Sequence, residues 1–326
     1  MKGSGAASPL SESGPWMVPA GCLPIRLDVF VHRCLPHLSL REIRKAIDEA
    51  EILVNSRKGK KGQILFAGDV ASVAAASLLL AKGPLPNSDL EVKILHEDEA
   101  IVVVDKPAGM ATHGTSAKDT ATLANFLVAL YPLLCEVGKS PWEPGLVHRL
   151  DRETSGIVLV AKDQGSFGHL RSQFRCGQVE KKYWALVSGR PARRGIVAYP
   201  LIHDPKDQRK MRAVVEERGG RDQARKWPAL TRFRALSQAQ GWSLLEVEIR
   251  TGVTHQIRAH LEAIGHPLAG DPLYGGDRPP PSALQRQFLH AFYLRLRHPS
   301  GGHEVAFSSP LPAELREVLS RLGMRL

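Results

Sequence analysis

The sequence predicts an α+β protein, with a small N-terminal domain followed by a larger domain on a mixed, largely antiparallel central sheet with flanking helices. Three observations carry that reading. From residue 90 onward, strand-like and helix-like apolar patterns are interspersed without a repeating β-α-β unit. Pro84, Pro86, Asn87 and Ser88 interrupt the patterning and mark a linker over 83–89. A length of 326 residues suits about two domains, each able to bury its own core.

Residues 1–23 are rich in Gly, Ser, Pro and Ala with little apolar periodicity, and read as a disordered leader. Within 24–82, Leu27, Phe30, Val31 and Leu35 fall at helical spacing up to Pro36. Ser39 then opens a second helix, with Glu42 completing a capping box and Leu40, Ile43, Ile47 and Ala50 forming its apolar stripe. A strand at 52–54 runs into Asn55-Ser56 and a basic turn over 57–62, and a strand pair is expected at 64–66 and 70–73, broken by Gly68-Asp69. In the domain spanning 90–326, strands are expected at 91–95, 100–104, 156–161, 182–187, 231–236 and 243–249. Helices are expected at 121–134, 167–176, 255–264 and 313–322.

The net charge of +11 favours a polyanionic partner, nucleic acid first. The charge is clustered: residues 175–226 hold 14 lysines and arginines against 6 acids. Cys22, Cys34, Cys135 and Cys176 are widely spaced with no CxxC pair, which argues against a zinc site and a disulfide scaffold. No apolar stretch approaches the roughly 18 residues of a spanning helix, and the N-terminus lacks a signal-peptide core. The expectation is a soluble cytoplasmic protein, monomeric, without a membrane partner.

Residues 148–156 read His-Arg-Leu-Asp-Arg-Glu-Thr-Ser-Gly and run at once into Ile157, Val158, Leu159 and Val160. Asp151 thus sits on a polar turn beside a buried strand, where Arg149 and Arg152 would keep it ionised, as a carboxylate nucleophile must be. A lone Asp-Arg contact is more often a structural ion pair. The nine-residue string is far more specific than a contact. Two other patterns carry nothing: Gly138-Lys139-Ser140 lacks the first glycine of a phosphate loop, since position 133 is Leu133, and His113, Ser116 and Asp119 lack a nucleophile elbow.

The string resembles the HRLDxxTSG signature of the RluA-type pseudouridine synthases. Val104-Asp105-Lys106-Pro107-Ala108-Gly109, the run from Arg250 to Leu261, His266-Pro267-Leu268-Ala269-Gly270-Asp271 and Leu289-His290-Ala291 fit the same family, so the resemblance extends from about residue 90 almost to the C-terminus. A looser similarity links Arg26-Leu27-Asp28, Ser39-Leu40-Arg41, Val54-Asn55 and Gly68-Asp69-Val70 to the S-four-like alpha-L RNA-binding module, although Ser56 stands where that module usually has Gly.

The resemblance implies the pseudouridine synthase fold and the isomerisation of uridine in structured RNA, with no cofactor and no metal. It assigns Asp151 as nucleophile, Tyr183 as the residue that stacks on the uracil and removes the last proton, and Arg258 as the partner of the aspartate. A stacked base must be flipped out to be reached, and Arg149 could fill the vacated space. Arg152 and the N-terminal Arg41, Arg44, Lys45, Lys58, Lys60 and Lys61 are the remaining candidates for RNA contact. Val253 stands where the family often has Arg. The domain layout points to large-subunit ribosomal RNA, with transfer RNA as the alternative. A non-catalytic ribosome-assembly factor stays open as a second class. A glycosidase would want two acids flanking the bond, and only Glu153 lies near Asp151.

Overall fold

The computed structural model describes residues 15–35, 38–74, 83–116, 118–215, 225–276, 279–281 and 284–326. Residues 1–14 of the expected leader and 216–224 of the basic stretch lie outside the described residues. The chain divides into two compact units, residues 1–82 and 83–326.

In the first unit the order is β1 (Trp16–Met17), β2 (Ile25–Arg26), α1 (Leu27–Cys34), α2 (Leu40–Asp48), β3 (Ile52–Val54), β4 (Arg57–Lys58), β5 (Ile64–Leu65) and β6 (Val70–Val73). The capping box of α2 is complete: the Ser39 N–H donates to Glu42 Oε2 at 2.6 Å and the Glu42 N–H to Ser39 Oγ at 3.3 Å. The leader expectation fails over its described end. β1 pairs with β6, and Trp16 and Val18 are buried in the core with Phe30, Val31, Ile43 and Ile52. Two isolated apolar residues carry no periodicity, so their burial left no pattern to read.

The segments at 64–66 and 70–73 do not pair with each other. β5 pairs with β2, while β6 lies between β1 and β3. The turn between them is held by the Asp69 carboxylate, which accepts from the Phe66 N–H and from the Asn55 side-chain amide. The basic turn is partly strand: β4 hairpins onto β3 through Asn55 and Ser56, both at positive φ, as a two-residue hairpin requires.

The second unit carries β7 (Lys93–Glu97), β8 (Ile101–Lys106), α3 (Leu123–Leu130), β9 (Ser155–Ala161), α4 (Gln164–Arg175), β10 (Glu180–Ser188), β11 (Arg194–Val197), β12 (Leu201–His203), β13 (Met211–Ala213), β14 (Thr231–Ala239), β15 (Trp242–Ile249), α5 (Gln256–Ala263), β16 (Leu289–Arg297), β17 (Glu304–Ser308) and α6 (Ala313–Arg321). Nine strands form one sheet in the order β11-β14-β15-β10-β16-β9-β8-β7, with β17 also on β16. Its pairings are antiparallel except β16 with β9, so the sheet is mixed and largely antiparallel. The expected helix over 121–134 stops at Leu130. Pro132 cannot continue an α-helix and instead opens a 3-10 turn, Pro132–Glu136. Residues of the expected linker pack on this unit: Asn87 donates to Thr120 O, and Leu85 O accepts from Asn125 Nδ2.

β9 is buried along its whole length, and its start is fixed by close approach to β16. Gly156 has φ +116°, and a Cβ there would lie 2.2 Å from Ala291 O, so the position admits only glycine. Beside it His290 is fully buried, with Nδ1 2.9 Å from Ser155 Oγ. Burial pushes its pKa down to about 4. Between pH 6.5 and 4 the unfolded chain therefore binds a proton that the folded chain refuses. The stability this residue contributes is present above pH 6.5 and lost on acidification through that window, on the order of 3 kcal/mol. His290→Gln is expected to flatten the fall of the urea midpoint from pH 7 to 4.5; parallel curves for the two proteins would refute this.

Candidate active site

The expected nucleophile, Asp151, lies in the turn that feeds β9, and each main-chain carbonyl of that turn has a donor. Leu150 O accepts from Thr112 Oγ1 at 2.8 Å and Asp151 O from the Thr154 N–H at 3.1 Å. Arg152 O accepts from Lys106 Nζ at 3.1 Å and Glu153 O from Arg286 Nη1 at 2.9 Å. Lys106 is fully buried and also donates to Pro107 O and Met110 O; burial, with Arg286 nearby, pushes its pKa down to about 7. Gln287 holds the Thr154 hydroxyl from the other side. A buried polar group left without its partner costs about 1–3 kcal/mol, so four such bonds make the turn a rigid mount.

The carboxylate meets a cation from a distant element. Arg258, on α5, donates from Nη1 to Asp151 Oδ2 at 2.9 Å. The same guanidinium grips Asp271 through Nε at 2.7 Å and Nη2 at 2.9 Å, and the Asp271 side chain is wholly buried. Burial alone would lower the Arg258 pKa, but the hydrogen bonds and charge of Asp271, and then of Asp151, hold it above its ordinary value. His255 caps α5 in the left-handed region at φ 54°, with Nε2 3.8 Å from Asp151 Oδ2 and Nδ1 3.1 Å from Tyr274 Oη. Its pKa is lowered by burial against the opposing pull of Asp151. Arg258 and the His255 ring both approach Oδ2. Among the described residues no hydrogen bond reaches Oδ1, which is left to act.

Asp151, Tyr183, Arg149 and Arg258 line one cavity of about 870 Å3. Tyr183 is buried on β10, where burial and then the Asp151 charge push its pKa up. Lys181, two residues earlier on the same face, donates to Thr251 O at 2.7 Å, and burial pushes it down to about 8. His148 stacks on Phe174 with ring centroids 4.9 Å apart, and its Nε2 accepts from the Leu159 N–H. Burial, then Lys181 and Arg171, push His148 down to about 3, so it is a neutral brace for β9.

The flanking arginines are not the partners of Asp151. Arg149 and Arg152 are exposed, neither forms an ion pair with Asp151 among the described residues, and only Arg149 reaches the cavity. In the first unit Arg41, Lys45, Lys58 and Lys60 are exposed, Arg44 is bound to Asp28 at 2.7 Å, and Lys61 stands 3.7 Å from Asp48. Sequence reasoning missed Asp271, Lys106, Thr112 and Arg286. Asp271 and Lys106 lie inside strings that drew attention, yet nothing in those strings showed that the side chains are buried. Among the described residues there is no metal-ligand cluster of three or more His, Cys, Asp or Glu, and no helix long and apolar enough to cross a membrane.

A family model described as RNA pseudouridylate synthase matches residues 100–263, which contain Asp151, Tyr183 and Arg258. The chain is 37% identical over 330 residues to an uncharacterized RNA pseudouridine synthase of Chloroflexus aurantiacus, covering 100% of this chain and 99% of that protein. It is 34% identical over 311 residues to the ribosomal large subunit pseudouridine synthase D of Nitrosomonas europaea, covering 94% and 86%. Among solved structures, human RNA pseudouridylate synthase domain containing 1 is similar at 28% identity and a TM-score of 0.54, over 70% of this chain and 86% of that one. A partly buried, Arg-held carboxylate in a cavity rich in basic side chains, on this sheet and with these relatives, gives the assignment: the chain belongs to the RNA pseudouridylate synthase family, enzymes that isomerise uridine to pseudouridine in RNA.

Proposed function

We propose that this chain modifies large-subunit ribosomal RNA and that Asp151 is the nucleophile. The observation that carries the chemical reading is the asymmetry of the carboxylate: Oδ2 is pinned by Arg258, while among the described residues no hydrogen bond reaches Oδ1, and Tyr183 lines the same cavity. A uridine stacked in RNA is out of reach of a carboxylate so placed, so the nucleotide is flipped into the cavity at a cost of a few kcal/mol, returned by protein contacts. Arg149, exposed at the cavity, is placed to fill the gap in the stack.

The reaction breaks the bond from N1 of uracil to C1′, turns the ring and joins C5 to C1′. C5 then loses its proton and N1, freed from the sugar, gains one, so the isomerisation balances with no redox step or external energy. A carboxylate suits attack on the sugar or the ring, and Arg258 holds that of Asp151 at 2.9 Å in a partly buried place. Tyr183 is held as a neutral phenol by burial and the nearby charge, so its surroundings favour stacking on the uracil over removal of the C5 proton. Support for a ribosomal substrate comes from the relatives named for the large subunit and from exposed Arg41, Lys45, Lys58 and Lys60, in the unit resembling an RNA-binding module.

The test is competition. Large-subunit ribosomal, small-subunit ribosomal and transfer RNA transcripts are incubated together with the protein, and pseudouridine is quantified in each by nucleoside analysis. Product confined to the large-subunit RNA is expected; product in transfer RNA alone would overturn the substrate assignment.

A further inference from the structure

The catalytic cavity extends beyond the space around Asp151 and Tyr183, along one side of α4. Gln164, Gly168, Arg171, Ser172 and Arg175 all line it. These positions recur at helical spacing and form one stripe; Leu170 turns into the core, and Phe167 packs there while also bordering the cavity. Lys139 joins the same wall, because the neighbouring Gly138 N–H donates to Gln164 Oε1 at 2.8 Å and docks that loop on the first turn of the helix. Among the described residues Asp151 is the sole carboxylate lining the cavity, and Arg258 already engages it.

Gly168 lies in the interior of this helix, where glycine is a poor choice. A Cβ at that position would meet nothing within 4 Å, so no packing inside the protein requires its absence. A glycine with free space above it, on a cavity wall between cations, has a use when something outside the protein comes close to the helix backbone. Arg171 is steadied by donating from Nη1 to Val147 O at 2.9 Å. Among the described residues no ion pair or hydrogen bond of the Arg175 guanidinium occurs, which leaves it available to a ligand anion.

We propose that the α4 stripe holds the phosphate backbone of the single strand flanking the target uridine, with Gly168 allowing the chain to lie against the helix and Lys139, Arg171 and Arg175 meeting its phosphates. The proposal rests on the RNA-isomerase reading and adds to it a second region of substrate contact. Its charge complements phosphate, and its continuity with the catalytic cavity sets the strand it serves.

The test compares the full-length wild type with Gly168→Leu and Arg175→Ala on two RNAs. One carries several unpaired nucleotides on each side of the target; the other is trimmed to the immediate neighbours. On the long RNA both variants are expected to bind about tenfold more weakly, with Arg175→Ala also showing a shallower salt dependence by about 0.7 in the log-log slope. On the trimmed RNA both should match wild type within about twofold. Because leucine favours helix over glycine and fills open space, the melting temperature of Gly168→Leu should be equal to or above that of wild type. Unchanged binding of the long RNA, or equal weakening on both RNAs, would overturn the proposal. Wild-type turnover on the long RNA, measured in parallel, keeps such a failure distinct from a failure of the isomerase reading.

Discussion

Asp151→Asn is expected to reduce pseudouridine formation by roughly 10^4-fold or more, as removal of a nucleophile does, while RNA affinity stays within a few-fold because phosphate contacts dominate binding. The amide keeps the shape of the carboxylate but lacks the charge and the nucleophilic oxygen. The fold should barely notice the change. Asp151 is partly exposed, and Arg258 keeps both of its bonds to Asp271, so the expected loss of stability is less than about 1 kcal/mol. Single-turnover assays beside filter binding and urea unfolding would separate the three quantities. Turnover near wild type would remove Asp151 from the chemistry.

Arg258→Met is expected to fail on two counts. Asp271 is wholly buried, and without the guanidinium its carboxylate has lost the cation that balances it; breaking one side of a buried pair costs about 3–5 kcal/mol. Asp151 also loses the donor that fixes Oδ2, so turnover should fall with stability. Adding Asp271→Leu to Arg258→Met removes the buried charge and should recover much of the stability, because replacing both partners of a buried pair is far milder than replacing one. It should recover none of the activity. Urea denaturation and turnover of the single and double variants check this, and a double variant that regains turnover would show that Arg258 acts only through stability. Arg258→Lys is expected to be poor as well, since one ammonium cannot present the planar fork that spans two carboxylates.

The sequence string around Asp151 pointed to the turn that carries the proposed nucleophile but suggested the wrong neighbours for it. Arg149 and Arg152 are close in sequence, yet the cation in contact with Asp151 comes from 107 residues downstream. Adjacency along a tight turn says little about where side chains meet, whereas the fold brings α5 to the end of β9. The resemblance named Arg258 as the partner, and its Asp271 support was out of reach because burial of a single acid leaves no pattern. β16 was missed for a different reason. Its register against β10 slips by one residue between Tyr293 and Ala291, so the inward alternation of Leu294 and Leu296 does not continue through Phe292. In the pairings of β8 with β7 and of β15 with β14 the register also slips, but the extra residue lies in β7 and β14, so the apolar runs of β8, β9 and β15 themselves were readable. In the first unit, the capping box of α2 was legible because it is a local bond between two residues, but β5 pairs with residues 38 and 40 positions away and β6 with residues of β1 53 and 55 positions away, while Asp69 holds the turn between them.

The measurement that bears most directly on the central claim is tritium release from large-subunit ribosomal RNA labelled at C5 of its uridines, with wild type and Asp151→Asn side by side. Isomerisation exchanges the C5 hydrogen for the glycosidic bond, so each product frees one label. Release by wild type that reaches a plateau, with none from Asp151→Asn, is the predicted result. Equal release by the two proteins, or no release by wild type from an RNA it binds tightly, would contradict the account.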